Sequence, residues 1–257
     1  MQRIIAVANQ KGGVGKTTTA VNLSAALAEQ KKKVLLIDLD PQGNATMGAG
    51  IDKYSLTCSV LEPLLGTQPV RSALQPSASQ AFSVLPANGD LTVAEIKLLE
   101  APMREKRLAL ALAPLKNDYD VIIIDCPPSL NMLTVNALVA AGSVLIPIQT
   151  EYYALEGLSA LLDTIEQIRS RNPDLMIEGI VRTLHDPRNN LSSEVSAQLV
   201  QHFGNQVFNT IIPRNVRLAE APSHGLPVIL YDKGSRGAIS YLALASELLR
   251  RHQHPPT

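Results

Sequence analysis

Arg3-Ile4-Ile5-Ala6-Val7-Ala8-Asn9-Gln10-Lys11-Gly12-Gly13-Val14-Gly15-Lys16-Thr17-Thr18 passes from an apolar run through three glycines into the start of a helical pattern. Arg3 to Ala8 reads as a buried strand. Lys16 to Glu29 places Val21, Leu23, Ala26 and Leu27 at helical spacing. Glycines at such a junction let successive backbone N–H groups turn inward on phosphate oxygens, and the helix N-terminus adds positive potential. On this reading Gly12, Gly13, Val14, Gly15, Lys16, Thr17 and Thr18 form a phosphate cradle. Lys16 would neutralise the β and γ phosphates, and the Thr17 hydroxyl is placed for Mg²⁺. A turn that binds nothing has no need of glycine, lysine and threonine together at this point.

Lys33 to Asp38 is a second buried strand and completes a βαβ unit. Further apolar runs lie at 82–85, 121–125, 143–148, 177–181, 207–212 and 228–230, with helical patterns at 103–115, 155–168, 192–203 and 238–250. This alternation predicts an α/β fold: a doubly wound, mostly parallel sheet with helices on both faces. Nothing in the 257 residues marks a second domain, so 1–257 reads as one unit. Pro69 to Gln80 reads as a surface excursion and His252 to Thr257 as a frayed tail.

Composition agrees. Hydrophobic residues make up 46% and aromatics only 4%, so the core is built from Val, Ile, Leu and Ala, as a covered parallel sheet requires. Lys+Arg 23 balance Asp+Glu 23, which excludes a global field drawing the protein to nucleic acid or membrane; such affinity must come from a local patch. Cys58 and Cys126 are too few for a disulfide framework or an iron–sulfur site. The five histidines, all between His185 and His254, lack ligand spacing and read as surface or structural. No stretch approaches the roughly 18 apolar residues that cross a bilayer, and no leader pattern opens the chain.

Three carboxylates stand at strand ends. Asp38 and Asp40 are two apart on an extended backbone and share a face; Asp125 closes the apolar run Val121 to Ile124. Ligands of such sheets bind beyond the carboxyl ends of the strands, where these acids meet the phosphates. A carboxylate ending a buried strand is costly to desolvate, which favours a metal-linked role. Asp38 reads equally well as a turn former.

Lys11 stands where an ordinary phosphate loop asks for no lysine, and Gln10 where it asks for glycine. The segment 11–17 resembles the deviant Walker A motif of the ParA/MinD group. The segments 38–46, 125–129, 151–157 and 212–217 resemble, in order, the signatures of chromosomal ParA/Soj partitioning ATPases. The resemblance implies ATP and Mg²⁺ as cofactors and an ATP-dependent homodimer in which each Lys11 reaches the partner's nucleotide. It further implies that Asp125 and Asp38 serve the metal with Thr17, that Asp40 activates the attacking water alongside Lys11 and Lys16, and that Pro213 and Asn215 line the adenine pocket. Similar proteins bind non-specific double-stranded DNA through arginines matching Arg188 and Arg217; Lys233 and Arg236 are candidate helpers. Phosphate contacts of that kind are sequence-independent and salt-sensitive. The family implies a ParB-type centromere-binding partner that stimulates weak intrinsic hydrolysis, and a cytoplasmic, nucleoid-associated location. A MinD-like membrane-positioning ATPase is the alternative. Such proteins carry an amphipathic helix at their C-terminus, and residues 252–257 do not spell one.

Overall fold

The computed structural model describes residues 2–152 and 154–253. Eight strands form one sheet: β1 (Arg3–Val7), β2 (Val34–Asp38), β3 (Gln75–Pro76), β4 (Ser83–Leu85), β5 (Val121–Asp125), β6 (Ser143–Gln149), β7 (Met176–His185) and β8 (Val207–Pro213). Their spatial order is β3-β4-β2-β5-β1-β6-β7-β8, and every pairing is parallel except β3 with β4. The chain first builds outward from β1 on one side and then crosses to β6 on the other. The carboxyl end of β1 is thus a topological switch point, where sheets of this kind open a crevice for ligands.

The strands fall where apolar residues run without interruption. All five residues of β2 and of β5 are buried, as strands covered on both faces must be. Their side chains alternate between two cores. Ile5, Val7, Leu36 and Ile123 face α1 (Lys16–Glu29) and a carboxyl-terminal group, while Ala6, Leu35, Ile37 and Ile124 face the opposite layer. That opposite layer contains α3 (Leu61–Leu65), α4 (Val70–Ala73), α5 (Thr92–Glu100), α6 (Arg107–Leu112), α7 (Met132–Ala140), α8 (Ala154–Arg169) and α9 (Asn190–Phe203). The first layer is completed by α2 (Asn44–Gly48), α10 (Val216–Glu220), α11 (Val228–Tyr231) and α12 (Arg236–Gln253).

Four expectations are corrected. The apolar run 228–230 is not a strand but the body of α11, started by Pro227 in an extended conformation. The helix expected over 103–115 is reduced to α6 between two 3-10 turns: Met103 holds a φ of 52°, and Pro114 occupies the last turn. Part of the excursion at 69–80 is ordered into α4 and into β3, which pairs with β4. His252 is not part of a frayed tail. It lies on α12 with Nε2 2.6 Å from Glu178 Oε1, while Ser143 donates to Glu178 Oε2 at 2.6 Å. Residues 254–257 lie outside the described residues.

Alpha12 is anchored to β8 by one acid. Glu247, almost fully buried, accepts the N–H groups of Asn209 and Thr210, the Thr210 hydroxyl and Arg251 Nη2 at 2.7–2.9 Å. Burial pushes its carboxyl up, but these hydrogen bonds together outweigh that and hold it below its ordinary value. Glu247→Ala strands buried donors, so we expect a loss of about 3 kcal/mol of unfolding free energy and a melting point lower by about 6–12 °C. Thermal unfolding followed by circular dichroism checks this; a shift below about 2 °C would mean that the helix is held by its apolar face alone.

Candidate phosphate-binding site

The loop between β1 and α1 is shaped by its glycines. Gly13 and Gly15 have φ of 75° and 84°, in the left-handed region where a side chain is disfavoured. Gly15 is the residue before α1, and no side chain caps the helix, so its first N–H groups face the crevice. Lys16 lies back over the loop and donates from Nζ to the Lys11 carbonyl at 3.0 Å. Burial lowers its pKa, with Asp125 and then Asp40 among the charges pulling it back up. Lys11 stands at the rim, its Nζ 3.4 Å from Glu151 Oε2 and its side chain 37% exposed.

Below the loop the three acids are brought together by sheet register. Asp38 and Asp125 are partners across β2 and β5, and Asp125 is the partner of Val7 across β5 and β1. The three differ in what they already hold. Asp38 is fully buried and accepts the Asp40 N–H at 3.1 Å, the Thr46 N–H at 2.8 Å and the Thr46 hydroxyl at 2.7 Å. Burial pushes its pKa to about 6, with the Thr46 hydrogen bonds opposing. Asp40 accepts only the Gln42 N–H, at 2.9 Å, and keeps some access to solvent. Asp125 is fully buried and neither of its oxygens has a hydrogen-bond partner within the protein. Burial first, and then repulsion from Asp38, raise its pKa well above the ordinary value, with the Thr17 hydroxyl and Lys16 acting in the other direction. A buried carboxylate with no protein partner, beneath the uncapped start of a helix, fits a divalent cation held together with phosphates.

Beside the loop opens a cavity of about 350 Å³ lined by Gly15, Thr18, Thr183, Leu184, Arg214, Asn215, Val216 and Tyr241, among others. Asn215 belongs to its wall and also caps α10 by accepting the Leu218 N–H. Pro213, the last residue of β8, lies between the wall residues Ile212 and Arg214 and is not itself among the lining residues. Arg188 lies three residues past the end of β7 and Arg217 four past the end of β8; since His185 pairs with Pro213, both emerge from the same edge of the sheet. Lys233 and Arg236 follow in the turn into α12 and at its first residue, and Asp232 joins this turn to Arg217 at 3.2 Å.

The segment 42–46 turns into a helix: Gly43 holds a φ of 61° and α2 begins at Asn44, placing Thr46 against Asp38. The segment 126–129 is a loop; the Thr134 hydroxyl donates to the Ser129 carbonyl at 2.7 Å, and Asn131 caps α7. Tyr153 of the segment 151–157 lies outside the described residues. Several residues that position the site carried no sequence signal. Thr183 Oγ1 donates to the Val14 carbonyl at 2.7 Å, and Asn9 accepts the Lys11 N–H at 2.9 Å while donating to the Pro147 carbonyl at 2.8 Å. Asn9 sits next to the motif and could have been marked as a hinge former; Thr183 is distant in sequence and could not.

The AAA domain family matches residues 2–177. The chain is 54% identical to the chromosome partitioning protein ParA of Myxococcus xanthus, over 97% of this chain and 88% of that protein. It is 53% identical to the sporulation initiation inhibitor protein Soj of Bacillus subtilis, over 96% and 98%. A Mycobacterium smegmatis structure described as cobyrinic acid a,c-diamide synthase with bound ADP and magnesium superposes with a TM-score of 0.87 at 42% identity, covering 100% of this chain and 97% of that one. Identity at this level over nearly the whole chain places it in the ParA/Soj family of chromosome-partitioning ATPases.

Proposed function

We propose that this protein is an ATP-dependent, dimerising ATPase that grips duplex DNA without regard to sequence in its ATP state and drives chromosome or plasmid partitioning with a ParB-type partner. The observation that carries the reading is the pair formed by the uncapped, glycine-shaped loop 11–18 and the orphaned carboxylate of Asp125 beneath it. Phosphates answer the first and a divalent cation answers the second. Among the described residues no cluster of three or more His, Cys, Asp or Glu could hold a metal ion by itself. This suits magnesium, which keeps most of its waters and takes the rest of its shell from phosphates and one or two side chains. Thr17 and Asp125 would hold it, with Asp38 behind them bracing the Thr46 turn. When bound, the ion withdraws charge from the β and γ phosphates.

In this reading Lys16 neutralises the phosphates from within the loop, and Asp40 orients the attacking water and takes its proton. The base sits in the 350 Å³ cavity against Asn215. Lys11, at the rim and paired with Glu151, is the cation free to exchange its partner for a phosphate on a facing subunit. Dimerisation doubles the basic edge formed by Arg188 and Arg217, so two weak patches act as one. The membrane alternative is not favoured: the apolar face of α12, with Tyr241, Leu244, Ala245 and Leu248, is buried against the sheet and unavailable to a bilayer.

The test is DNA binding and size in parallel. With magnesium and a non-hydrolysable ATP analogue the protein is expected to elute as a dimer and to bind random-sequence duplex, with affinity falling steeply as salt rises. With ADP it is expected to be monomeric and to bind DNA at least tenfold more weakly, by the usual size of coupling between two sites, about 1–3 kcal/mol. Equal binding in both nucleotide states would end the proposal. Turnover that required a carboxylic acid substrate and a nitrogen donor, with no response to DNA, would favour instead the amide-forming activity by which the Mycobacterium protein is described.

A further inference from the structure

Three of the four basic residues named at the β7/β8 edge already face a carboxylate. The Arg188 guanidinium grips Asp186 in a fork, Nε to Oδ1 at 2.9 Å and Nη2 to Oδ2 at 2.8 Å, although its side chain is 86% exposed. Arg217 donates from Nη1 to Glu220 Oε2 at 2.8 Å and places Nε 3.2 Å from Asp232 Oδ2. Lys233 Nζ is 3.9 Å from Glu29. Among the described residues, Arg236 of this group makes no ion pair. A fork between guanidinium and carboxylate uses the same two parallel N–H groups that a phosphate would take.

Both arginine–carboxylate pairs are attached to the cavity beside the phosphate loop. Leu184 lines that cavity with a φ of 50°, a conformation a leucine rarely adopts, and Asp186 follows two residues later. The His185 carbonyl accepts the N–H of Arg214, a residue of the cavity wall. Arg217 and Glu220 lie on α10, which begins directly after Asn215. The Asp186 carboxyl is pushed down to about 2 by its hydrogen bonds with the Arg188 side chain and backbone, so the pair is fully charged at neutral pH.

We propose that Asp186 and Glu220 are internal stand-ins for phosphate: each occupies the face of an arginine that would meet the DNA backbone, so DNA must displace a carboxylate of the same chain before Arg188 or Arg217 can reach it. The inference rests on the DNA-binding reading above. It makes the two acids the residues that set DNA affinity low, and it explains how a chain with no net charge can carry a basic edge without adhering to nucleic acid at all times. Exposed ion pairs are weak, which is what a pair meant to exchange partners requires.

The experiment measures binding of a fluorescent random-sequence duplex by full-length protein, with magnesium and a non-hydrolysable ATP analogue, for four proteins: wild type, Asp186→Asn, Arg188→Ala and the double variant. Asparagine keeps the oxygen that accepts the Arg188 N–H at 3.1 Å, so the turn survives, and unchanged ATP turnover without DNA confirms it. Asp186→Asn is expected to tighten binding roughly two- to fivefold, and the gain is expected to vanish in the Arg188→Ala background. Glu220→Gln, which keeps an acceptor for Tyr231, is expected to do the same through Arg217. Wild type that binds DNA while Asp186→Asn gains nothing would overturn the inference and leave the DNA reading standing. An equal gain with and without Arg188 would also overturn it, since only a general field would then be at work. If neither wild type nor Asp186→Asn binds, the DNA reading itself fails and the inference falls with it.

Discussion

An Asp40→Ala variant is expected to bind ATP with unchanged affinity and to hydrolyse it at least about 10²-fold more slowly, the usual contribution of a positioned general base. Of the two acids that end β2 and the turn after it, Asp40 is the one whose hydrogen-bonding capacity is still open. It accepts one backbone N–H, from Gln42, and the turn it begins is also held by the Gly43 N–H donating to the Asp40 carbonyl at 2.9 Å, a bond that alanine keeps. The Asp40 charge also acts on Lys16, the lysine of the phosphate loop. Asp38 contrasts with it in burial and bonding: it is sealed from solvent, and its oxygens take three hydrogen bonds. Losing Asp38 should therefore harm the fold before the chemistry. Single-turnover hydrolysis beside fluorescent-nucleotide binding separates the two roles. If the proposed coupling holds, Asp40→Ala with ATP also stays dimeric and DNA-bound, because the state that releases DNA is never reached. Turnover within threefold of wild type would make Asp40 a turn former and move the search for the base elsewhere.

The sequence distinguished poorly between Asp38 and Asp40, since two acids two residues apart on a strand end look alike until their neighbours are known. The neighbour that separates them is Thr46, brought under Asp38 by a helix that starts at a left-handed glycine. What was legible follows from periodicity and local chemistry. The apolar runs that Asp38 and Asp125 close fit covered strands on either side of helical patterns, and three glycines before Lys-Thr at a strand-to-helix junction mark the loop. What was not legible depends on contacts between distant parts of the chain. The three-residue apolar run at 228–230 fits a strand or a helix equally, and only the packing of α11 against α1 and α12 decides. The brace from Thr183 to Val14 spans 169 residues and has no local mark. His252 gave the appearance of a polar tail because its partner, Glu178, lies on β7. The basic edge is a similar case. Arg188 and Arg217 were visible as candidates, but the carboxylates that hold them were not singled out, though Asp186 and Glu220 stand two and three residues away.

Asp125→Asn is expected to make the nucleotide-free protein more stable while crippling its magnesium-dependent activity. Both oxygens of Asp125 are buried without a partner, and burial together with the nearby Asp38 charge disfavours its ionised form. The carboxylate therefore opposes folding whenever the site holds no cation. Asparagine has nearly the same shape, carries no charge to desolvate and does not repel Asp38; its uncharged amide costs less to leave unpaired. The pull of the Thr17 hydroxyl and of Lys16 on the charged form is lost, but burial and the Asp38 charge outweigh it. A net gain of about 1–3 kcal/mol follows from relieving one buried like-charge contact, or about 3–8 °C in melting temperature for a chain of this size. With ATP and magnesium the order should reverse: wild type gains stability by ligand linkage, while the variant gains little, and its hydrolysis falls by at least about 10²-fold as transition-state charge on the phosphates loses its metal anchor. Differential scanning fluorimetry with and without Mg·ATP, run beside a phosphate-release assay, reads both halves. A variant less stable than wild type in the absence of nucleotide would show that the buried charge is compensated within the protein, and the argument that Asp125 awaits a cation would lose its footing. A variant that is stabilised yet still hydrolyses ATP at the wild-type rate would instead confirm the cost of the buried charge and assign the metal to other residues.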